Sequence, residues 1–138
     1  IDFIKDRYNI SDDYSKNVIG GYSLGGLAAS YSALKYPNIF GNVLSESGSY
    51  WYKKEGYDDN EYTWMSNEFR KVEKLPIKFY INIGSIEPKK SMQDTNINLK
   101  DTLIDLGYKV FFEEFGSGHD YLCWGEYLAR GLIYLLGK

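Results

Sequence analysis

Three residues in this chain have the types and the order needed for attack by an activated hydroxyl. Ser23 stands in Gly21-Tyr22-Ser23-Leu24-Gly25-Gly26, a G-x-S-x-G spacing. His119 is the single histidine and stands in Gly116-Ser117-Gly118-His119-Asp120, with Glu87 between the two in sequence. A serine hydroxyl becomes a nucleophile when a base lies within hydrogen-bond reach and a carboxylate orients that base. With one histidine available, His119 is the base or the chain has no serine–histidine chemistry. The alternative reading of the motif alone is a glycine-rich turn with a capping serine. The apolar run Val18-Ile19-Gly20 before it and the helical spacing after it favour a nucleophile on a tight strand-to-helix turn.

The elements that must position these residues can be read from the pattern of the chain. Ile1 to Tyr8 reads as the end of an amphipathic helix, with Ile1, Ile4 and Tyr8 on one face, and the polar run 9–16 reads as a loop. Asn17 to Gly21 is a short, nearly all-apolar strand of the kind buried on both faces of a parallel sheet. The helix after the turn carries Leu24, Leu27, Ala28, Tyr31 and Leu34 on its expected inner face and ends at Pro37. Phe40 to Ser45 is a second strand running into the loop Glu46-Ser47-Gly48-Ser49-Tyr50-Trp51-Tyr52, which emerges at the same sheet edge as Ser23 if the strands are parallel. This aromatic loop is either a ligand-contacting segment or a packed turn.

Residues 53–75 form a polar surface excursion or partial lid, with a helix over about Glu61 to Val72 in which Trp64, Met65 and Phe69 are expected to pack. Ile77 to Ile83 is the third strand, Ser91 to Leu106 a helix with Met92, Leu99, Leu103 and Leu106 on one stripe, and Tyr108 to Phe115 a fourth strand nearer the sheet edge. Asp120 caps a last helix, Tyr121 to Leu136, with Tyr121, Trp124, Leu128, Leu132 and Leu135 facing inward. Crossovers of this length join parallel neighbours, so the expected fold class is α/β, a three-layer sandwich on a mainly parallel sheet. Glu87 leaves the third strand on the edge that carries Ser23 and His119. Asp94, Asp120 or a backbone carbonyl are the alternatives for orienting the histidine, and Glu46 is a weaker one.

Composition bounds what else the chain can be. Its 138 residues are one domain's worth, and 43% hydrophobic with 25% charged residues is ordinary for a globular protein. The net charge of −3 argues against general nucleic-acid binding, which needs a basic face to displace phosphate counterions. No apolar stretch is long enough to span a bilayer. Cys123 is the only cysteine, which excludes an intrachain disulfide and a thiolate metal cluster. It is expected to be a small buried hydrophobe, with catalysis the minor alternative, and the compartment leans to the cytoplasm. No metal and no cofactor is expected. A small-molecule ester is the partner expected of an activated serine, and oligomeric state is not legible.

Four stretches together resemble the enterochelin (ferric siderophore) esterases of the esterase D group of α/β-hydrolases. They are Gly21 to Gly26, Tyr36-Pro37-Asn38-Ile39-Phe40-Gly41, Ser45-Glu46-Ser47-Gly48-Ser49-Tyr50-Trp51 and Gly116-Ser117-Gly118-His119-Asp120-Tyr121-Leu122-Cys123-Trp124. The resemblance spans nearly the whole chain and corresponds to the C-terminal half of that family. It implies an α/β-hydrolase-type sandwich lacking its N-terminal strands, so that the strand before Ser23 exposes an edge and this length of chain alone is poorly stable or inactive. It implies Ser23 as nucleophile, His119 as base and Glu87 where the wider group often has aspartate. The Leu24 N–H is the first oxyanion donor, and the second lies upstream of Ile1. Tyr22, Tyr50, Trp51 and Trp124 are implied as substrate contacts. Related members include feruloyl and acetyl-xylan esterases and acyltransferases, and a non-catalytic aromatic-ligand module is the reading from a different class. Lys53-Lys54 and Lys89-Lys90 are the candidates for a cationic rim that an anionic ferric catecholate would need.

Overall fold

A computed structural model describes residues 2–57 and 62–137. The elements run α1 (Asp2–Lys5), a 3-10 turn (Tyr14–Lys16), β1 (Val18–Tyr22), α2 (Leu24–Lys35), β2 (Asn42–Glu46) and α3 (Trp64–Arg70). Next come β3 (Lys78–Gly84), one π-helical turn (Lys89–Gln93), α4 (Asp94–Asp105), β4 (Lys109–Phe115) and α5 (Tyr121–Leu136). The four strands form one sheet in the order β1-β2-β3-β4, every pair parallel. Each crossover carries a helix, as parallel neighbours require.

Alternate residues of the strands feed two cores. Val43, Phe79 and Ile81 pack against Leu27 and Ala33 of α2, Phe69 of α3, and Leu99 and Leu103 of α4. On the opposite face, Leu44 and Tyr80 pack against Leu135 of α5. The architecture is therefore the three-layer α/β sandwich expected from the pattern, and all four strands point their carboxyl ends at one edge. Among the described residues no helix is long and apolar enough to cross a membrane.

Several local expectations are corrected. The first helix covers only Asp2–Lys5, too short to build a buried face, and Ile4 and Tyr8 lie exposed. Ile1 and Glu61 fall outside the described residues, and the excursion helix spans Trp64–Arg70 with Trp64, Met65 and Phe69 buried as expected. The inner face of α2 is Gly26, Leu27, Ala29, Ser30, Ala33 and Leu34, leaving Leu24 and Ala28 exposed. Small side chains let this helix approach the sheet closely, which turns its face away from the larger residues. On α5, Trp124, Gly131 and Leu135 are buried, whereas Tyr121 and Leu122 project outward. Cys123 is half-buried rather than enclosed.

Gly131 lets α5 lie close against the sheet. A Cβ there would lie 2.7 Å from Leu44 Cδ1 and 2.8 Å from Tyr80 Cδ1. Leu44 can rotate away, but the Tyr80 ring is stacked on Phe111 with planes 5° apart, and its hydroxyl donates to Glu113. Overpacking of about 1–3 kcal/mol therefore outweighs the roughly 1 kcal/mol that alanine gains over glycine in a helix. Gly131→Ala in the full-length protein is expected to lower the urea midpoint, a net loss of up to about 2 kcal/mol. An unchanged or raised midpoint would show that the sheet yields at this contact.

Candidate active site

Ser23 sits between β1 and α2 with φ 55° and ψ −123°, a conformation that L-residues rarely adopt. Such strain costs about 1–3 kcal/mol and persists only where surrounding bonds fix it. Its N–H donates to Glu46 O at 3.0 Å, while its carbonyl accepts from Gly26 N at 3.0 Å and from Ser49 N at 2.9 Å. Glycine at position 26 is required by space: a Cβ there would meet Ser45 Oγ at 2.6 Å. The Ser23 hydroxyl pairs with Ser49 Oγ at 3.0 Å. Leu24 opens α2, where a backbone N–H has no intrahelical acceptor and can face a developing oxyanion.

The second half of the site hangs from β3 and β4. Glu87, in the turn after β3, is buried, and its Oε2 lies 2.7 Å from His119 Nδ1. Its other oxygen accepts from Ser47 Oγ at 2.5 Å and from the Gly84 N–H at 3.1 Å. Gln93 in the π-helical turn holds the turn's backbone, donating to Glu87 O at 2.6 Å and Ser85 O at 3.1 Å. An ionised carboxylate offers only lone pairs, so this network places the histidine proton on Nδ1 and leaves Nε2 open as an acceptor.

Trp124 joins the halves. Its indole N–H donates to Ser47 Oγ at 3.0 Å, the His119 ring stands edge-on to it at 4.6 Å, and Tyr22 stacks on it at 5.0 Å with planes 6° apart. Tyr22 is the residue immediately before Ser23. The structure thus brings Glu87 and His119 into direct contact and sets Ser23 across the Tyr22–Trp124 stack, with its hydroxyl turned to Ser49 rather than to His119.

The other acids are engaged elsewhere. Asp120 caps α5, accepting from Leu122 N at 3.0 Å and Cys123 N at 3.2 Å. Its carboxyl is held below the usual range, chiefly by the Ser117 hydroxyl and then by these helix N–H groups. Asp94 begins α4 at the surface, and Glu46 is bonded to Asn82.

Two of the four aromatic residues expected to touch substrate are instead interior. Tyr50 is 1% exposed, and its hydroxyl lies 2.7 Å from both Ser45 Oγ and Ser30 Oγ. Burial pushes this phenol up to about 12. Trp124 is 2% exposed and acts as the wall behind His119. Tyr22 is half-buried in the stack, and Trp51 remains at the surface. A cavity of about 310 Å³ opens beside Leu24, lined by Tyr31, Tyr52, Lys54 and Trp64 among others. Lys89 and Lys90 are exposed in the turn after Glu87.

Ser47 and Ser49 are the site residues that pattern reading missed. Ser47 has φ 48°, which aims its hydroxyl at Glu87 instead of continuing the strand. The alternation Ser45-x-Ser47-x-Ser49 at a strand's carboxyl end was the available signal, since serine there is chosen for hydrogen bonding rather than for packing.

Comparison with known proteins gives a consistent result. The Esterase family model matches residues 1–135. The iron(III) enterobactin esterase of Escherichia coli O6:H1 is 34% identical over 125 residues, covering 91% of this chain and 31% of that protein. The enterobactin esterase of Shigella flexneri, solved in the presence of 2,3-dihydroxy-N-benzoyl-serine, superposes with a TM-score of 0.83 at 32% identity over 97% of this chain and 34% of that one. A ferulic acid esterase superposes with a TM-score of 0.80 at 18% identity, covering 98% of this chain and 56% of that one, a likeness of fold alone. The chain spans about a third of the length of the enterobactin esterases it matches.

Proposed function

The chain belongs to the Esterase family, and from that premise we propose that it carries the machinery of a serine carboxylic-ester hydrolase. Ser23 Oγ leaves Ser49 for His119 Nε2 and attacks the ester carbonyl as the imidazole takes its proton. The Leu24 N–H stabilises the resulting oxyanion. The imidazolium returns the proton to the departing alcohol; water then attacks the acyl-serine with His119 again as base, the acyl–Oγ bond breaks to release the carboxylic acid, and the imidazolium returns the proton to Ser23 Oγ. Glu87 holds the ring by its Nδ1–H throughout. The observation that carries this reading is the 2.7 Å Glu87–His119 pair, linked through Trp124 and Tyr22 to a serine whose backbone is strained at φ 55°.

A ferric siderophore ester of the enterochelin-like trilactone class is the substrate this reading favours. The aromatic walls of the cavity beside Leu24 suit catechol rings, and Lys54 supplies positive charge against an anionic complex. The relatives named as enterobactin esterases support the same assignment. A feruloyl ester also presents an aromatic acyl group to these walls and is the second reading.

The test is fluorophosphonate labelling of the full-length protein, followed by a panel of ferric trilactones, feruloyl esters and short acyl esters. Covalent modification at Ser23 and the highest kcat/KM on the ferric trilactone are expected. Folded protein that takes no label would overturn the hydrolase, and a preference for feruloyl esters would move the substrate.

A further inference from the structure

Among the described residues, two of the buried side-chain acceptors without a hydrogen-bond partner lie on the neighbouring strands β2 and β3. Glu46 ends β2, and Asn82 stands opposite it in register on β3. Both residues are 0% exposed. Asn82 Nδ2 donates to Glu46 Oε1 at 3.1 Å, while Glu46 Oε2 and Asn82 Oδ1 have no hydrogen-bond partner among the described residues. A carboxylate can only accept, so an ionised Glu46 leaves both buried oxygens without a donor. One proton on Oε2 removes both deficits at once: the acid O–H donates to Asn82 Oδ1 while the amide N–H donates to Oε1. We propose that Glu46 is a neutral carboxylic acid paired in both directions with Asn82, and that this pair is a positioning element for the Ser23 turn and for Ser47.

The backbone connections give the pair that role. The carbonyl of Glu46 accepts the Ser23 N–H at 3.0 Å, and the carbonyl of Asn82 accepts the Ser47 N–H at 2.9 Å. The same two residues whose side chains close the ring thus hold the nucleophilic turn and the serine that bonds Glu87. This inference rests on the assignment of Ser23 as nucleophile.

The surroundings keep the acid neutral. Glu46 borders a cavity of about 280 Å³ between β1 and α5, where Leu44, Leu128 and Leu132 face it together with the Tyr22 phenol. On β3 the Tyr80 phenol faces both Asn82 and Glu46 and gives its hydroxyl to Glu113, which stands opposite Asn82 in register on β4. The charged groups of α5 are turned the same way, Arg130 lying 3.4 Å from Glu113 and 3.8 Å from Glu126. At the sheet edge, Glu87 and His119 pair with each other. No Lys, Arg or His side chain forms an ion pair with Glu46 among the described residues. Burial, opposed by the Asn82 hydrogen bond, pushes the carboxyl up to about 7. The native protein therefore holds this proton more tightly than the unfolded chain. The stabilisation is complete below about 4.5 and is lost as pH rises to about 7.

The experiment compares full-length parent, Glu46→Gln and Glu46→Ala. Glutamine reproduces the two-way pair at every pH, because its amide donates where the acid proton did. The expected results are kcat for Glu46→Gln within about threefold of the parent below neutrality, without the parent's loss above it, and a fall of about tenfold or more for Glu46→Ala with KM little changed. In protein labelled with carboxyl-¹³C glutamate, one resonance absent from Glu46→Gln titrates near neutrality. The thermal midpoint of Glu46→Gln falls less than the parent's across the same interval. A Glu46 resonance that is ionised well below neutrality, or a glutamine variant as impaired as alanine, overturns the inference. If the alanine variant does not fold, the glutamine variant and the titration still decide it. If no form hydrolyses any ester, the titration and the thermal series stand independently, and only the assignment of function fails.

Discussion

Ser23→Ala in the full-length protein is expected to lower kcat for ester hydrolysis by roughly 10⁴-fold or more, with folding intact. The hydroxyl is the only atom group removed, and a carbonyl has no other positioned nucleophile to meet. The residual rate comes from substrate binding and oxyanion donors, including the Leu24 N–H, which alanine leaves in place. Stability changes little, because the substitution keeps the backbone bonds that hold φ at 55° and loses the Ser23–Ser49 hydroxyl contact, worth about 1 kcal/mol. Single-turnover rates with product analysis, alongside a thermal melt, check both halves of this expectation. A folded alanine variant within tenfold of the parent would remove Ser23 from the mechanism.

The second large effect concerns Glu87. Glu87→Gln keeps the volume, and its carbonyl oxygen can still accept from Ser47 and the Gly84 N–H, as Glu87 Oε1 does at 2.5 and 3.1 Å. The remaining atom becomes an amide nitrogen, a donor, set where Oε2 lies 2.7 Å from His119 Nδ1. A donor facing Nδ1 moves the ring proton to Nε2, the atom that must accept from Ser23. The wrong tautomer costs roughly 10⁴-fold in kcat while leaving the geometry in place. Substrate binding is largely untouched, so KM stays near the parent value. Glu87→Asp retains the charge but shortens the arm, and is expected to recover only part of the loss. A glutamine variant with near-parental kcat would mean that another group orients the imidazole.

These expectations rest on features that differ in how far sequence alone reveals them. The apolar strand before Ser23 and the glycines around it were legible because a parallel strand and a tight turn each leave a compositional mark. The order of Ser23, Glu87 and His119 was legible because each stands just past a strand, and the carboxyl ends of parallel strands lie along one edge. The roles of Ser47 and Ser49 were not, since they depend on a φ of 48° and on cross-strand bonding that hydrophobic pattern does not encode. The resemblance placed Tyr50 and Trp124, each of which carries a polar tip, among the substrate contacts. They are interior because Ser45, Ser30 and Ser47 satisfy those tips within the protein. The face of α2 was misread because Ala29, Ser30 and Ala33 decide it through small size rather than apolar area.

The Tyr50 anchorage has a consequence for how this site can change over evolutionary time. Tyr50 pins the loop after β2 from inside, between Ser45 and Ser30, whereas the next two residues, Trp51 and Tyr52, stand at the surface, and Tyr52 lines the cavity beside Leu24. The candidate nucleophilic turn and the aromatic rim are thus adjacent and joined: the Tyr52 N–H donates to Ser49 O at 3.0 Å, and the Ser49 N–H donates to Ser23 O at 2.9 Å. A shift of the rim's backbone is therefore transmitted to Ser23 through Ser49, whereas exchange of side chains alone leaves those bonds in place, so a laboratory library confined to the side chains of Trp51, Tyr52 and Lys54 would vary substrate preference while keeping the Ser23 turn.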